Sequence, residues 1–394
     1  MLDTLMRPQY VRAGFVMTSI RKLLQELIAV PSVNPAFLPP KDARGGESRM
    51  ADFLAAVAAQ SGLDVEMRPV FPGRCNVLAR LTPSGRIRQR VLLAPHLDTV
   101  GELSMPDAHF KPVEKNGRLY GRGACDTKGS IAAMLSALMS LTRQITRPQA
   151  TEIVFVGLID EENEQSGSRA LVAQGFRADL AIVGEPTRCR VVTAHKGDLW
   201  LRLQTRGKSA HGARPELGRN AVHAMARIVD LIETRYADQL RRRRHALLGH
   251  PTINVGSIQG GTQPNIVPAS CEISLDRRTI PGESEATVAR EIRTFLKAHK
   301  VQAQLLNQKA NVCPPMETDP GLPLVHQFLR TARQSRPIGV HFFCDAAVLA
   351  AGGIPSVVFG PGDIAQAHTA DEWISLRSLE RGTAILTRFL ESLD

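Results

Sequence analysis

Val154-Phe155-Val156-Gly157-Leu158-Ile159-Asp160-Glu161-Glu162 runs on into Asn163-Glu164-Gln165-Ser166-Gly167. The apolar part, rich in β-branched residues, reads as a buried strand. It breaks abruptly into three acidic residues and a glycine-containing turn. Strand ends are where α/β proteins place their chemistry. Three adjacent carboxylates repel one another, so a cation or a functional role accounts for them better than decoration does. In isolation, an acidic loop facing solvent is the simpler reading. The rest of the chain reverses that preference.

Upstream, residues 91–94 form a second strand, ending in Pro95-His96-Leu97-Asp98. Side chains alternate along extended backbone, so His96 and Asp98 point the same way. A carboxylate next to a ligating histidine is how metal sites fix the imidazole tautomer. Further on, Tyr120-Gly121-Arg122-Gly123-Ala124-Cys125-Asp126-Thr127-Lys128-Gly129 turns tightly into a helix over 128–141. Asp126 stands at its start, where a plain helix cap is the simpler alternative. Downstream, Val183-Gly184-Glu185-Pro186 puts another carboxylate directly after a strand. Phe359-Gly360-Pro361-Gly362 leads through a polar loop to His368. Oxygen and nitrogen donors without thiolates suit zinc, cobalt or manganese. An aspartate shared by two ions is the arrangement of two-metal hydrolases.

Taken together, these segments resemble the M20 metallopeptidase/deacylase family, and the likeness runs from about Met17 to the C-terminus. Its members include acetylornithine deacetylases, succinyl-diaminopimelate desuccinylases and glutamate-releasing carboxypeptidases. The resemblance implies a zinc-peptidase-like catalytic domain with a mixed sheet flanked by helices, and two divalent ions held by His96, Asp126, Glu162, Glu185 and His368. Asp126 would bridge the ions, and His96 and Glu185 would complete different shells. Glu162 and His368 would belong together in a shell with neither His96 nor Glu185 as its other ligand. Asp98 would orient His96, and Glu161 would be the general base that activates the water between the ions. A cis peptide after Asp126 is also implied. Gly207-Lys208-Ser209-Ala210-His211-Gly212 resembles the segment whose histidine reaches a partner's active site and stabilises the oxyanion. Gly260-Gly261-Thr262-Gln263-Pro264-Asn265 and Asp276-Arg277-Arg278 resemble the segments that grip the substrate carboxylate, through Asn265 and Arg278. A guanidinium fork suits a carboxylate. Asp345 lies beside Cys344, where relatives commonly carry threonine, so no role is assigned to it. Cys125, His195 and Lys196 are read as structural.

The domain pattern supports the likeness. From about Leu199 the element order becomes βαββαβ, the ferredoxin-like arrangement. Residues 199–310 therefore read as an inserted dimerisation or lid domain. The segments 17–198 and 311–394 form a discontinuous catalytic domain. Residues 1–16 read as a disordered or mis-called extension with no convincing signal peptide.

Composition narrows the partners. No apolar run reaches membrane-spanning length. Six scattered cysteines without a CxxC pair fit a reducing cytoplasm. The net charge of +11 invites a nucleic-acid reading. However, residues 200–310 alone hold 18 Lys/Arg against 9 Asp/Glu, and aromatics are only 5% of the chain, too few for base stacking. The expectation is a cytoplasmic, homodimeric, dinuclear-metal amidohydrolase acting on an N-acyl amino acid. The alternative within the family is a di- or tripeptidase or a glutamate-releasing carboxypeptidase. A remoter one is a non-catalytic scaffold of the same fold.

Overall fold

Thr151–Gly157 is a strand buried along its whole length, as its continuous apolar run requires. The structure, a computed structural model, describes residues 19–101, 104–142, 144, 147–307 and 311–394. The expected extension over residues 1–16 lies outside them. Thr18, whose side chain suits a helix cap, lies outside them too; Ser19 accepts the Lys22 N–H at the start of the first helix.

The elements that position the site are strands β1 (Asp64–Phe71), β2 (Arg74–Leu81), β3 (Gln89–Pro95), β4 (Val113–Lys115), β5 (Arg118–Tyr120), β6 (Thr151–Gly157), β7 (Leu180–Gly184) and β8 (Val192–His195). After these come β9 (Gly197–Arg206), β10 (Thr252–Gly260), β11 (Ser270–Thr279), β12 (Gln304–Asn307), β13 (Met316–Glu317), β14 (Ile338–Val340), β15 (Ser356–Val358) and β16 (Trp373–Ser375). The main sheet runs β1-β2-β6-β3-β7-β15-β8-β13, with β14 also on β8. Its centre, β6-β3-β7-β15, is parallel, and β2 joins β6 antiparallel, so the sheet is mixed.

Helices cover both faces. Along β3, Val91 and Leu93 pack with the helices Ile20–Ala29, Ser48–Gln60, Lys128–Leu141 and Leu376–Glu391. Leu92 and Ala94 point the other way, towards the helices Ser166–Ala173 and Ala346–Ala351. In β6, Ile153 and Phe155 alternate in the same manner with Val154 and Val156. Gly157 has a steric reason: a Cβ there would meet Leu97 at 2.6 Å and Val77 at 2.9 Å.

β9 to β12 form a separate antiparallel sheet in the order β10-β11-β9-β12. The helices Ala221–Leu231 and Glu285–Ala298 pack their apolar residues on one face of it, giving the βαββαβ order. The helical stretch that begins at Ala221 is interrupted by a wider turn, Ile232–Tyr236. A small third sheet, β16-β5-β4, was not legible in the sequence because its strands have three residues each. No helix among the described residues is long and apolar enough to cross a membrane.

Candidate active site

Parallel register decides who meets whom. Pro95 of β3 pairs with Gly184 of β7, so the residues that follow, His96 and Glu185, emerge side by side. His96 Nε2 lies 3.8 Å from Glu185 Oε1. The two thus stand side by side, although the resemblance puts them in different metal shells: neighbouring parallel strands that end level present their next side chains to the same point. On the opposite flank of β3, Leu158 bridges to His96 before the chain turns at Asp160, which adopts φ 66°. Glu161 and Glu162 follow that turn.

Asp126 sits between the two flanks. Its Oδ1 is 3.1 Å from His96 Nε2, and its Oδ2 is 3.3 Å from His368 Nε2. It does not serve as a helix cap; Thr127 holds that position, and the Asp126–Thr127 peptide is cis. His368, with a half-exposed side chain, also lies 3.2 Å from Glu162 Oε2. One donor atom each of His96, Asp126 and Glu162 lie within 4.8 Å of one another, and so do those of His96, Glu161 and Glu185. The five expected ligands and the expected base are thus brought together.

The electrostatics of this cluster call for cations. Burial, reinforced by neighbouring carboxylates, raises Glu161 and Glu185 well above the usual carboxylate range, and Glu162 is raised for the same reasons. Burial opposes charge on His96, yet bonds to Asp126 and Asp98 raise its imidazole well above the ordinary value. Bonds to Asp126 and Glu162 lift His368 to about 10. Two imidazoles and four carboxylates of this kind form a donor set that fits divalent ions of the zinc type.

His96 Nδ1 is 2.9 Å from the main-chain carbonyl of Asp98. A carbonyl only accepts, so Nδ1 donates and Nε2 is turned to the cluster. The Asp98 carboxylate is used mainly elsewhere: its two oxygens accept the N–H groups of Glu161 and Glu162, each at 3.0 Å. Asp160 is bonded to Asn34, Arg74 and Ser166.

Sequence reasoning assigned no role to three residues. Asn34 Nδ2 donates to Asp98 at 2.7 Å and to Asp160 at 3.0 Å. Glu372, from the loop after His368, binds the Asp126 turn. Asp345 is buried, accepts from Ser168, and is pushed up to about 7 by burial. No short motif marks Asn34 or Glu372. Asn34 lies in a Ser-Val-Asn-Pro turn that reads as an ordinary turn signal.

The remaining expected residues lie apart. His211 is exposed, its Nδ1 accepting the Ala213 N–H, and its loop pairs with that of Asn265 through the Gly212 N–H, 2.7 Å from the Asn265 carbonyl. Among the described residues no bond joins His211 to Glu161 or the ligand cluster. Arg278 is at the far end of β11, bonded to Asp276 at 2.9 Å and 5.5 Å above the Phe343 ring, next to Cys344 and Asp345. From Cys271, beside the Asn265 loop, to Arg278 is seven residues of strand, about 23 Å. Arg277, next to Arg278, is fully buried and paired with Glu283 at 2.7 Å. His195, Lys196 and Cys125 are buried.

Acidic and imidazole donors converging at the carboxyl ends of parallel strands define a metal-dependent hydrolase. Residues 92–392 match the model of Peptidase family M20/M25/M40, and the chain belongs to that family. It is 32% identical over 385 residues to an acetylornithine deacetylase of Myxococcus xanthus, covering 94% of this chain and 96% of the relative. It is 31% identical over 390 residues to one of Proteus mirabilis, with the same coverage. Among solved structures it resembles an aminopeptidase from Bacillus cereus, with a TM-score of 0.76 at 23% identity, covering 94% and 97% of the two chains. It also resembles a dinuclear metal binding peptidase of the M20 family from Bacillus subtilis, with a TM-score of 0.69 at 13% identity, covering 95% and 97%.

Proposed function

We propose that the protein cleaves the amide bond of an N-acyl amino acid, with two divalent ions, most readily zinc, with cobalt or manganese as alternatives. The observation that carries this reading is Asp126, whose two carboxylate oxygens face two different histidines. His96, Asp126 and Glu185 would hold one ion, and Asp126, Glu162 and His368 the other. When bound, the ions polarise the scissile carbonyl and lower the pKa of coordinated water. Glu161 takes the proton from the attacking water and delivers it to the leaving amine nitrogen. Asp98 keeps Glu161 and Glu162 at their stations and fixes the His96 tautomer. Arg278 and Asn265 receive the substrate carboxylate, and His211 stabilises the oxyanion.

We read residues 199–310 as an inserted domain through which two copies pair. The distance between Arg278 and the His211–Asn265 loop supports this, since one chain holds them at opposite ends of β11. A partner copy could supply the missing end. Six free cysteines are compatible with a cytoplasmic setting.

The names of the relatives favour a deacylase, because identity to the acetylornithine deacetylases exceeds 30% over nearly the whole chain. The names of the structural neighbours, an aminopeptidase and a metallo-carboxypeptidase from Sulfolobus solfataricus among them, support the peptidase alternative. A panel of N-acetyl and N-succinyl amino acids and free-amine dipeptides, read by amine release from zinc- or cobalt-loaded protein, decides between them. Preference for the acylated set is expected. Preference for the dipeptides transfers the assignment to the peptidase, and hydrolysis of none would leave the scaffold reading.

A further inference from the structure

Glu372 lies four residues after His368, and its side chain is buried at 3% exposure. Its carboxylate accepts the N–H groups of Gly123 at 2.7 Å, Cys125 at 2.8 Å and Asp126 at 2.9 Å, and Arg122 Nη1 at 3.0 Å. Its own main-chain carbonyl receives the Gly121 N–H at 3.0 Å, and Arg122 Nη2 donates to the Thr369 carbonyl at 3.0 Å. All these bonds run between two segments, 121–126 and 369–372. One segment ends in Asp126, and the other begins next to His368. Among the described residues, every group bonded to the Glu372 carboxylate is a donor, an arrangement that suits an acceptor-only side chain.

His96 and Glu185 do not depend on this clasp, because the β3–β7 register sets them. Asp126 has a second anchor: the Thr127 hydroxyl donates to the Gly184 carbonyl at 2.7 Å. His368 has less support, standing half-exposed in a loop at φ 61°.

We infer that Glu372 is a positioning residue that registers His368 against Asp126 and so sets how tightly the ion on the His368 side is held, while the His96–Glu185 side is largely independent of it. The inference rests on the two-ion reading above.

The test is titration of metal-depleted protein with Co²⁺, followed by calorimetry and visible absorption, for wild type, Glu372→Gln, Glu372→Ala, His368→Ala and Glu185→Ala. Wild type should bind two equivalents. In both Glu372 variants the second equivalent should weaken by about 10- to 100-fold, the usual effect of losing an outer-sphere partner. The absorption band they lose should be the one lost in His368→Ala and retained in Glu185→Ala. Turnover of Glu372→Gln should recover as cobalt is raised, which a general folding defect would not do. Glu372→Gln keeps the side chain's volume and carries the test if the alanine variant does not fold. Wild type that binds fewer than two ions overturns the two-ion reading itself. Wild type binding two, with the Glu372 variants weakening both steps equally or neither, overturns this inference alone.

Discussion

Asp98 holds Glu161 by the backbone: its Oδ1 accepts the Glu161 N–H at 3.0 Å, while its own main-chain carbonyl receives His96 Nδ1. One residue thus fixes both the expected base and an expected ligand. Asn34 completes the arrangement by bonding Asp98 and Asp160 together. Asn34→Ala should leave two buried carboxylates short of a donor, costing about 1–3 kcal/mol of stability. It should lower turnover more than it raises KM. Urea denaturation and steady-state kinetics measure both, and a variant with unchanged stability and turnover would remove Asn34 from the account.

His195 makes stability depend on acid. It is fully buried, its Nδ1 donates to the Lys196 carbonyl at 2.8 Å, and among the described residues Nε2 has no partner. Burial lowers its imidazole from 6.5 to about 4. Above pH 6.5 the ring is neutral in both folded and unfolded chains, so it has no effect on stability. Between 6.5 and about 4 the unfolded chain takes up a proton that the folded chain refuses. Stability therefore falls as pH falls, by about 3 kcal/mol in all. In metal-depleted protein, His195→Leu should flatten that part of the pH profile relative to wild type. Parallel profiles would contradict the assignment.

Arg278 should matter through its fork. Arg278→Ala should raise KM for substrates with a free carboxylate by the equivalent of about 1.5–3 kcal/mol, the range of hydrogen bonds to charged groups. Arg278→Lys should recover little of it, because an ammonium cannot bind bidentately. Esterified substrates should show almost no difference between these proteins. An equal penalty on the ester would indicate a structural role.

The role proposed for His211 in a partner's site can be checked by mixing subunits. The Glu161→Gln and His211→Ala proteins should each be nearly inactive alone. After subunit exchange, hybrids carry one site with both residues intact and should regain part of the activity. Exchange verified by mass labelling with no regained activity would place His211 outside the partner's site.

What was legible in the sequence follows a physical division. Strands buried on both faces announce themselves as apolar runs, so β3, β6 and β7 and the residues that terminate them stood out. The pairing of His96 with Glu185 did not, because strand order and register are properties of the folded sheet. Asn34 and Glu372 were hidden for a related reason: each acts across a long separation in sequence, with no local pattern to mark it. The three-residue strands β4, β5 and β16 carry too little periodicity to be seen.

Glu161→Gln tests the central claim most directly. The amide keeps the side chain's size but cannot accept the water proton, and it touches none of the bonds that position the ligands. Metal analysis and amine release should be measured on the same preparation. The account predicts two ions per chain, as in wild type, with turnover lowered by about 10²–10⁴-fold. Near-normal turnover at full metal content would contradict it.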